Sequence, residues 1–230
     1  MRKYLVILSV ILSVLFLTSC ASQKSWVYKP NDYVWKKTTA SKKAVVLPFS
    51  DQRENMNKNH IFLYMIPLVP WGSADYHIPE GVQVHLNSGL WINYEPKEDF
   101  SKALAEELRS TGLFEEAHFD FRKGDADYTI RGKILKTDYE GKLFSYGLSI
   151  YGPLLWLIGL PATTTTNELS VKISCTDNKS EEVLFAKTYT ADPISHVSWI
   201  YCLHEDFVYS EMLKEVFQEF SNDLRVRLNY

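Results

Sequence analysis

Apolar and polar positions alternate in five stretches of the chain, as they do in strands that bury one face. Val45, Leu47 and Phe49 fall on the same face of the first stretch. The other four stretches are residues 117–121, 126–139, 167–176 and 182–190. The turn sequence Asp177-Asn-Lys-Ser180 separates the last two, which predicts a hairpin.

Two stretches have helical spacing instead, at 99–112 and from Glu205 to about Leu228. Gly112 is the expected stop of the first helix. The apolar face of the first helix carries Phe100, Ala103, Leu104 and Leu108, and that of the second carries Leu213, Val216, Phe217, Phe220 and Leu224. The order of elements predicts an α+β fold: a mixed or antiparallel sheet of about five strands with two helices packed on one face, plus two apolar insertions.

The apolar insertions lie at about 54–97 and 143–166, and Pro and Gly residues interrupt both. Loops of this length are uncommon in compact domains unless they have a use. The first insertion covers the core, pairs as extra strands or meets a partner. The second is a covering loop, an exposed patch that binds a partner or lipid, or a hairpin given to an oligomeric membrane assembly. The candidate interaction surface is Ile66, Leu68, Trp71, Leu154, Leu155, Trp156 and Leu157.

The N-terminus has the pattern of an export signal. Arg2 and Lys3 precede an apolar run over residues 4–17, which is short for a bilayer span. The run closes with Leu17-Thr-Ser-Cys20, which resembles a bacterial lipobox. That resemblance implies that Cys20 carries a covalent lipid and that the leader is cleaved before it.

Three domains follow from this resemblance: a signal peptide at 1–19, a lipidated tether at 20–43 and a single periplasmic α+β domain at 44–230. The tether carries interleaved aromatic residues, which dock at the membrane interface or on the domain. By resemblance to the enteric sorting rule, Ala21 rather than Asp after the cysteine favours the outer membrane. We therefore expect a lipid-anchored protein of the cell envelope with its domain on the periplasmic side.

Three short segments of the domain are similar to a known envelope pattern. They are VVLPFSD at 45–51, FSKALAEELRSTGLF at 100–114 and ADYTIRG at 126–132. Together they resemble the TolB amino-terminal domain and the curli-secretion-pore lipoprotein group. This resemblance implies a protein that binds or assembles other envelope proteins and is not an enzyme. Both apolar insertions depart from the family pattern.

The charge balance bears on the partners. Removal of the leader leaves 23 basic and 28 acidic side chains, a formal charge of −5, with no basic cluster. Nucleic acid is therefore not an expected partner. The expected partners are membrane lipid, through the Cys20 anchor, and an envelope protein or a second copy of the chain.

The sequence carries no strong catalytic or metal motif. It lacks GxSxG, HExxH, P-loop and GxGxxG fingerprints, and its His residues do not cluster at metal-ligand spacing. Asp51 and Arg53 after the first strand are a ligand-facing pair or, more simply, a local ion pair. His204-Glu205-Asp206 suggests acid–base chemistry or helix capping, and capping is favoured. No cofactor is expected beyond the lipid.

Two cysteines remain after lipidation, Cys175 and Cys202. An oxidising envelope permits a disulfide between them. The alternation of the fourth strand places Cys175 on the buried face, which favours free thiols instead.

These features predict a non-catalytic structural or assembly component of a cell-envelope complex, with the apolar insertions as its contacts. The alternative is a periplasmic carrier of a lipid or small molecule, which requires a pocket beneath those insertions.

Overall fold

The computed structural model describes residues 26–33, 35, 41–80, 94–202, 204 and 207–228. Within them the strands are β1 Lys43–Val46, β2 Ser50–Asp51, β3 Lys58–His60, β4 Trp71–Tyr76, β5 Glu116–Phe119, β6 Tyr128–Phe144, β7 Thr163–Asp177, β8 Val183–Thr190 and β9 Ile194–Ser198. The α-helices are α1 Pro96–Thr111, α2 Pro153–Leu157 and α3 Tyr209–Arg227, and the 3-10 turns are Ile61–Met65 and Ser149–Tyr151.

The sheet is built on two long antiparallel strands, β6 and β7. They pair from Tyr128 opposite Asp177 to Leu143 opposite Thr163, with one irregularity between Ile134 and Lys136. Shorter strands pair with the outer edges of this ribbon, and each edge has different partners along its two halves. Along β6, parallel β1 and β2 pair with the first half and antiparallel β4 with the second. Along β7, β8 pairs with the second half and β9 with the first.

Helices α1 and α3 cover only one end of this sheet. Phe100, Leu104 and Leu108 of α1 and Phe217 and Phe220 of α3 are fully buried in the core between helices and sheet. Asp99 accepts a hydrogen bond from the Glu95 backbone N–H at the start of α1, and Gly112 ends the helix with φ of 68°. The ribbon of β6 and β7 continues past the helices, so neither helix covers its far end.

The α+β class is confirmed, but the predicted size of the sheet is wrong. The described chain has nine strands and three α-helices, not about five strands and two helices. The first insertion contributes β3 and β4, and β9 follows the last of the five predicted strands. Short edge strands were missed because their pairing with neighbouring strands determines them, rather than their own alternation.

The segment predicted as a tether packs onto the helices. Trp26 lies against Tyr94 and Phe100 near the start of α1, with ring centroids 6.3 and 6.0 Å away. Further along, Trp35 lies under Arg225 near the end of α3, 4.9 Å from its guanidinium carbon. The folded unit therefore extends on the N-terminal side of residue 44. The chain runs along the helical layer from its start toward its end.

Glu107 fastens this segment to α1. The carboxylate is fully buried and accepts four hydrogen bonds. Tyr28 Oη donates at 2.8 Å, Asn31 donates from its backbone N at 2.9 Å and from Nδ2 at 2.7 Å, and Tyr33 Oη also donates. Burial, followed by the nearby carboxylate, raises the pKa of Tyr28 above its usual range, so its hydroxyl stays a donor.

The structure has no disulfide between Cys175 and Cys202, so the sequence alternative of free thiols describes it. Cys175 is buried on β7, and burial raises the pKa of its thiol to about 12. Cys202 is exposed and follows β9, whose Ser198 pairs with Thr163 at the other end of β7. Twelve residues of β7 separate the two levels, about 40 Å, whereas a disulfide needs Cα atoms within about 7 Å.

Asp127 ties the start of β1 to the turn between β7 and β8. It accepts from the Lys43 backbone N at 3.0 Å and pairs with Lys42 and Lys179 at 3.2 Å each, contacts that lower its pKa to about 2. A carboxyl whose pKa is lower in the folded state stabilises the fold above its unfolded pKa and loses that effect below it. We expect Asp127→Asn to cost about 1 kcal/mol at pH 7, because solvent screens the two lysines. Urea unfolding should show this difference vanishing between pH 4 and 2, and a difference independent of pH would contradict it.

Candidate functional site

The free end of the sheet gathers three apolar segments into one structure. We call residues 61–71, 143–162 and 194–202 the apolar tip. The first joins β3 to β4, the second joins β6 to β7 and contains α2, and the third holds β9 and the turn after it. The topology brings these distant segments together because β4 and β9 pair with the same end of the β6–β7 ribbon.

Hydrogen bonds fix the segments to one another. Leu68 N donates to Gly147 O at 2.9 Å, and Ser145 N donates to Pro70 O at 2.9 Å. Tyr201 Oη donates to Leu157 O at 2.8 Å, which joins the third segment to α2. Loop backbone that would otherwise need water is thus paired within the tip.

A small core lies beneath the tip, and Trp156 is its centre. The indole is only 6% exposed and packs with Leu143 and Ala162, while its Nε1 donates to Phe144 O at 3.0 Å. The prediction of Trp156 as a surface residue is therefore wrong, since α2 is one turn long and turns this side chain toward the sheet. Leu155 is half-buried.

Two glycines allow the close packing of this small core. A Cβ on Gly72 would lie 2.0 Å from Ile61 O, and one on Gly152 would lie 2.6 Å from Ser145 Cα. Both contacts are with backbone atoms, which cannot move aside as a side chain can. The backbone therefore approaches itself closely at these two positions.

The outer face of the tip is apolar and exposed. Leu68 is 90% exposed, Ile158 77% and Tyr201 73%. Large apolar side chains exposed around them are Phe62, Met65, Ile66, Trp71, Leu148, Ile150, Tyr151, Leu154, Leu157, Leu160, Val197, Trp199 and Ile200. The predicted candidates Ile66, Leu68, Trp71, Leu154 and Leu157 all belong to this face. A contiguous apolar surface of this kind is typical of an interaction site.

Backbone strain is concentrated at the same place. Leu68, Tyr146 and Ser149 have φ values of 68°, 56° and 55°, in the left-handed region that L-residues rarely adopt. Leu68 combines this strain with nearly full exposure of an apolar side chain. Neither feature stabilises the isolated fold. Residues with strained backbone conformations cluster at functional sites in proteins.

The tip contains no Asp, Glu, Lys or Arg. The charged residues begin one step below it, where Lys142 and Glu140 of β6 form an ion pair at 2.9 Å. A sharp boundary therefore separates an apolar end from a charged body.

The second candidate, Asp51 with Arg53, lies at the point where the partner of β6 changes from β2 to β4. The Arg53 side chain is 3% exposed. Nε and Nη2 donate to Asp51 at 2.9 and 2.7 Å, both terminal nitrogens donate to Glu80, and Nη1 donates to Thr137 Oγ1 at 2.7 Å. Burial by itself would lower the pKa of Arg53, but the two carboxylates outweigh it and raise the pKa.

Arg53 has no N–H group left for a ligand. A guanidinium has five N–H groups, and Asp51, Glu80 and Thr137 account for all five. The adjacent cavity of about 280 Å³ is lined by Asp51, Arg53, Glu80, Tyr94, Glu95, Pro96 and Lys97. The geometry is that of a local ion pair that closes the gap between β2 and β4.

The remaining candidates are scattered. His204 is exposed, and its ring stacks on His196 at 4.7 Å. Glu205, Asp206 and Cys20 lie outside the described residues, and α3 begins at Tyr209 without a side-chain cap. Among the described side chains, no three His, Cys, Asp or Glu residues converge to hold a metal ion. No helix within the described residues has both the length and the hydropathy of a bilayer span.

Sequence reasoning missed the third segment of the tip. Two signals could have found it: residues 193–204 carry no Asp, Glu, Lys or Arg, and they include Trp199 and Tyr201. The four threonines at 163–166 are β-branched, which favours the longer β7 that brings this segment to the tip.

No protein-family model matches the chain, and no curated protein matches it. Solved structures that are similar to it include the following two. The first is protein XCC0632 from Xanthomonas campestris, which is described by the family model DUF330. It has 10% identity and a TM-score of 0.50, over 90% of this chain and 97% of that one. The hypothetical protein CT253 from Chlamydia trachomatis has 9% identity and a TM-score of 0.39, over 80% of this chain and 96% of that one. At 10% identity the first likeness concerns the fold alone.

Proposed function

We propose that this protein is a membrane-anchored envelope lipoprotein with a non-catalytic structural or assembly role. Cys20 carries the lipid, and the apolar tip is the surface through which the domain contacts another component of the envelope. The observation that carries the proposal is the apolar tip itself: an ordered, uncharged and exposed surface at one end of the sheet.

The entry point of the chain supports the same arrangement. Trp26 packs near the start of α1, and the chain then runs along the helices away from the tip. The described chain therefore begins at the end of the helical layer that faces the tip. An anchor upstream of Trp26 and a contact surface at the tip belong to the same side of the molecule.

Membrane fractionation of the chain expressed from its full sequence tests the anchor. We expect the protein in the membrane pellet, with an N-terminal peptide that begins at Cys20 and carries the mass of covalent lipid. Cys20→Ala should give no lipid-modified N-terminal peptide, because the thiol that accepts the lipid is absent.

Cys202→Ala is the matched control, since it removes an exposed cysteine of the domain and leaves the lipobox intact. Lipid attachment and fractionation should be unchanged in this variant. A mature N-terminus at another residue, or an unmodified Cys20 in the membrane pellet, would contradict the proposed anchor.

A further inference from the structure

The chemistry of the apolar tip distinguishes between two classes of contact. Protein interfaces have a polar rim, about one hydrogen bond per 100–200 Å² and an enrichment in Arg. The tip offers no charged side chain, and much of its loop backbone is hydrogen-bonded internally, as at Leu68, Ser145 and Leu157. Hydrocarbon offers no hydrogen bonds to polar groups that a protein leaves unpaired. A surface without charges and with internally paired backbone is therefore compatible with hydrocarbon.

The types of side chain exposed on the tip also favour a membrane contact. Aliphatic side chains that are largely exposed include Leu68, Leu154 and Ile158. Exposed aromatic side chains with a polar atom, Tyr151 and Tyr201, stand beside them. Tyr and Trp concentrate at the boundary between lipid headgroups and hydrocarbon. Surfaces that lie in this boundary bury apolar side chains to a depth of about 5–10 Å.

The segment between Cys20 and Trp26 is long enough for the lipid anchor and the apolar tip to reach the same membrane surface. Trp26 packs on Tyr94, which lines the same cavity as Arg53, and Arg53 bonds to Thr137 of β6. Six residues of β6 lead from Thr137 to Leu143 at the tip, about 20 Å. Six residues also separate Cys20 from Trp26, and extended they reach about 20 Å.

From these observations we infer that the apolar tip inserts into the interface of a lipid bilayer, as a second membrane contact besides the Cys20 anchor. This inference rests on the proposed function for the anchor and names the component that the tip contacts. Two attachments at one end fix the orientation of the sheet, with the β7–β8 turn facing away from the membrane.

A native thiol makes the inference testable. Cys202 is exposed in the tip, Cys175 is buried, and lipid would occupy Cys20. The processed protein, extracted from membranes in mild detergent, is labelled with an environment-sensitive NBD maleimide. It is then reconstituted into vesicles of equal parts phosphatidylethanolamine and phosphatidylglycerol that contain doxyl-labelled lipid. We expect a blue-shifted emission from Cys202 and quenching by the doxyl lipid.

The matched control moves the probe to the opposite end of the sheet. Ser180 is exposed in the β7–β8 turn, so Ser180→Cys in a Cys202→Ser chain reports a position on the same strand pair. Its emission should remain aqueous and unquenched. Leu154→Asp with Ile158→Asp should return the Cys202 probe to aqueous emission while the lipid anchor holds the protein on the vesicle.

Three outcomes would overturn the inference. The Cys202 probe could stay aqueous on vesicles to which the protein is bound, which leaves the anchor intact and refutes only the tip contact. The probe could be shielded in native membranes but aqueous on pure lipid, which assigns the tip to a protein partner. It could also be shielded before vesicles are added, which assigns the tip to another part of this chain or a second copy. Failure of the anchor itself shows separately, as an unmodified Cys20.

Discussion

Arg53→Met should destabilise the domain by about 3–5 kcal/mol, the largest effect that we expect from a single substitution. The methionine fills most of the same space but leaves Asp51 and Glu80 without their cation in a mostly buried setting. Buried carboxylates without a partner lose more in desolvation than packing returns. Urea unfolding at pH 7 measures the loss, which is a large fraction of the stability of a typical domain.

The pH dependence of this variant separates a charge effect from a packing effect. In the wild type, Arg53 lowers the pKa of Asp51. Without Arg53, the Asp51 carboxyl loses this effect and its protonated state is favoured, so the deficit should shrink as the pH falls toward 4. Arg109→Met is the matched control, because its ion pair with Glu106 is exposed, and it should cost less than about 0.5 kcal/mol. A deficit that stays constant with pH would show that Arg53 acts by packing alone.

Glu107→Ala should cost about 3 kcal/mol and release the N-terminal segment from α1. The substitution removes the acceptor for Tyr28, Asn31 and Tyr33, so these half-buried residues lose the common partner of their donors. Urea unfolding measures the stability. The rate of chymotryptic cleavage after Tyr28, whose hydroxyl is bound by Glu107 in the wild type, measures the release and should rise.

Two variants of the same helix control this result. Glu106→Ala removes a neighbouring carboxylate that is exposed, and it should leave both stability and cleavage almost unchanged. Glu107→Gln keeps one carbonyl acceptor but turns an amide toward the Asn31 backbone N–H, so its effect should be intermediate. Equal cleavage rates for Glu107→Ala and wild type would contradict the role given to this carboxylate.

The elements that the sequence predicted well are those with their own periodicity. Helix α1 and the strands β6, β7 and β8 alternate or repeat over eight residues or more, so burial of one face determines them locally. Gly112 ended the first helix as expected, because only a residue that tolerates a positive φ stops it there at no cost.

The elements that the sequence did not predict depend on distant partners. β2, β3 and β9 have at most five residues each, and pairing determines them: β2 pairs with β6, β3 with β4 and β9 with β7. The apolar tip follows the same rule. Ile66 and Leu154 could be named as surface candidates from the two apolar insertions, but the topology alone brings Tyr201 beside Leu157. The burial of Trp156 depends in turn on Leu143 and Ala162 from neighbouring strands.

The central claim is that the apolar tip is covered in the envelope and exposed in the isolated protein. The direct measurement is the reactivity of Cys202 toward a water-soluble maleimide in intact envelope membranes and in the purified protein, with Ser180→Cys in a Cys202→Ser chain as the reference. The account predicts that Cys202 is protected in the envelope and reactive after purification, while the cysteine at position 180 reacts in both. Equal reactivity of Cys202 in both preparations would contradict the account.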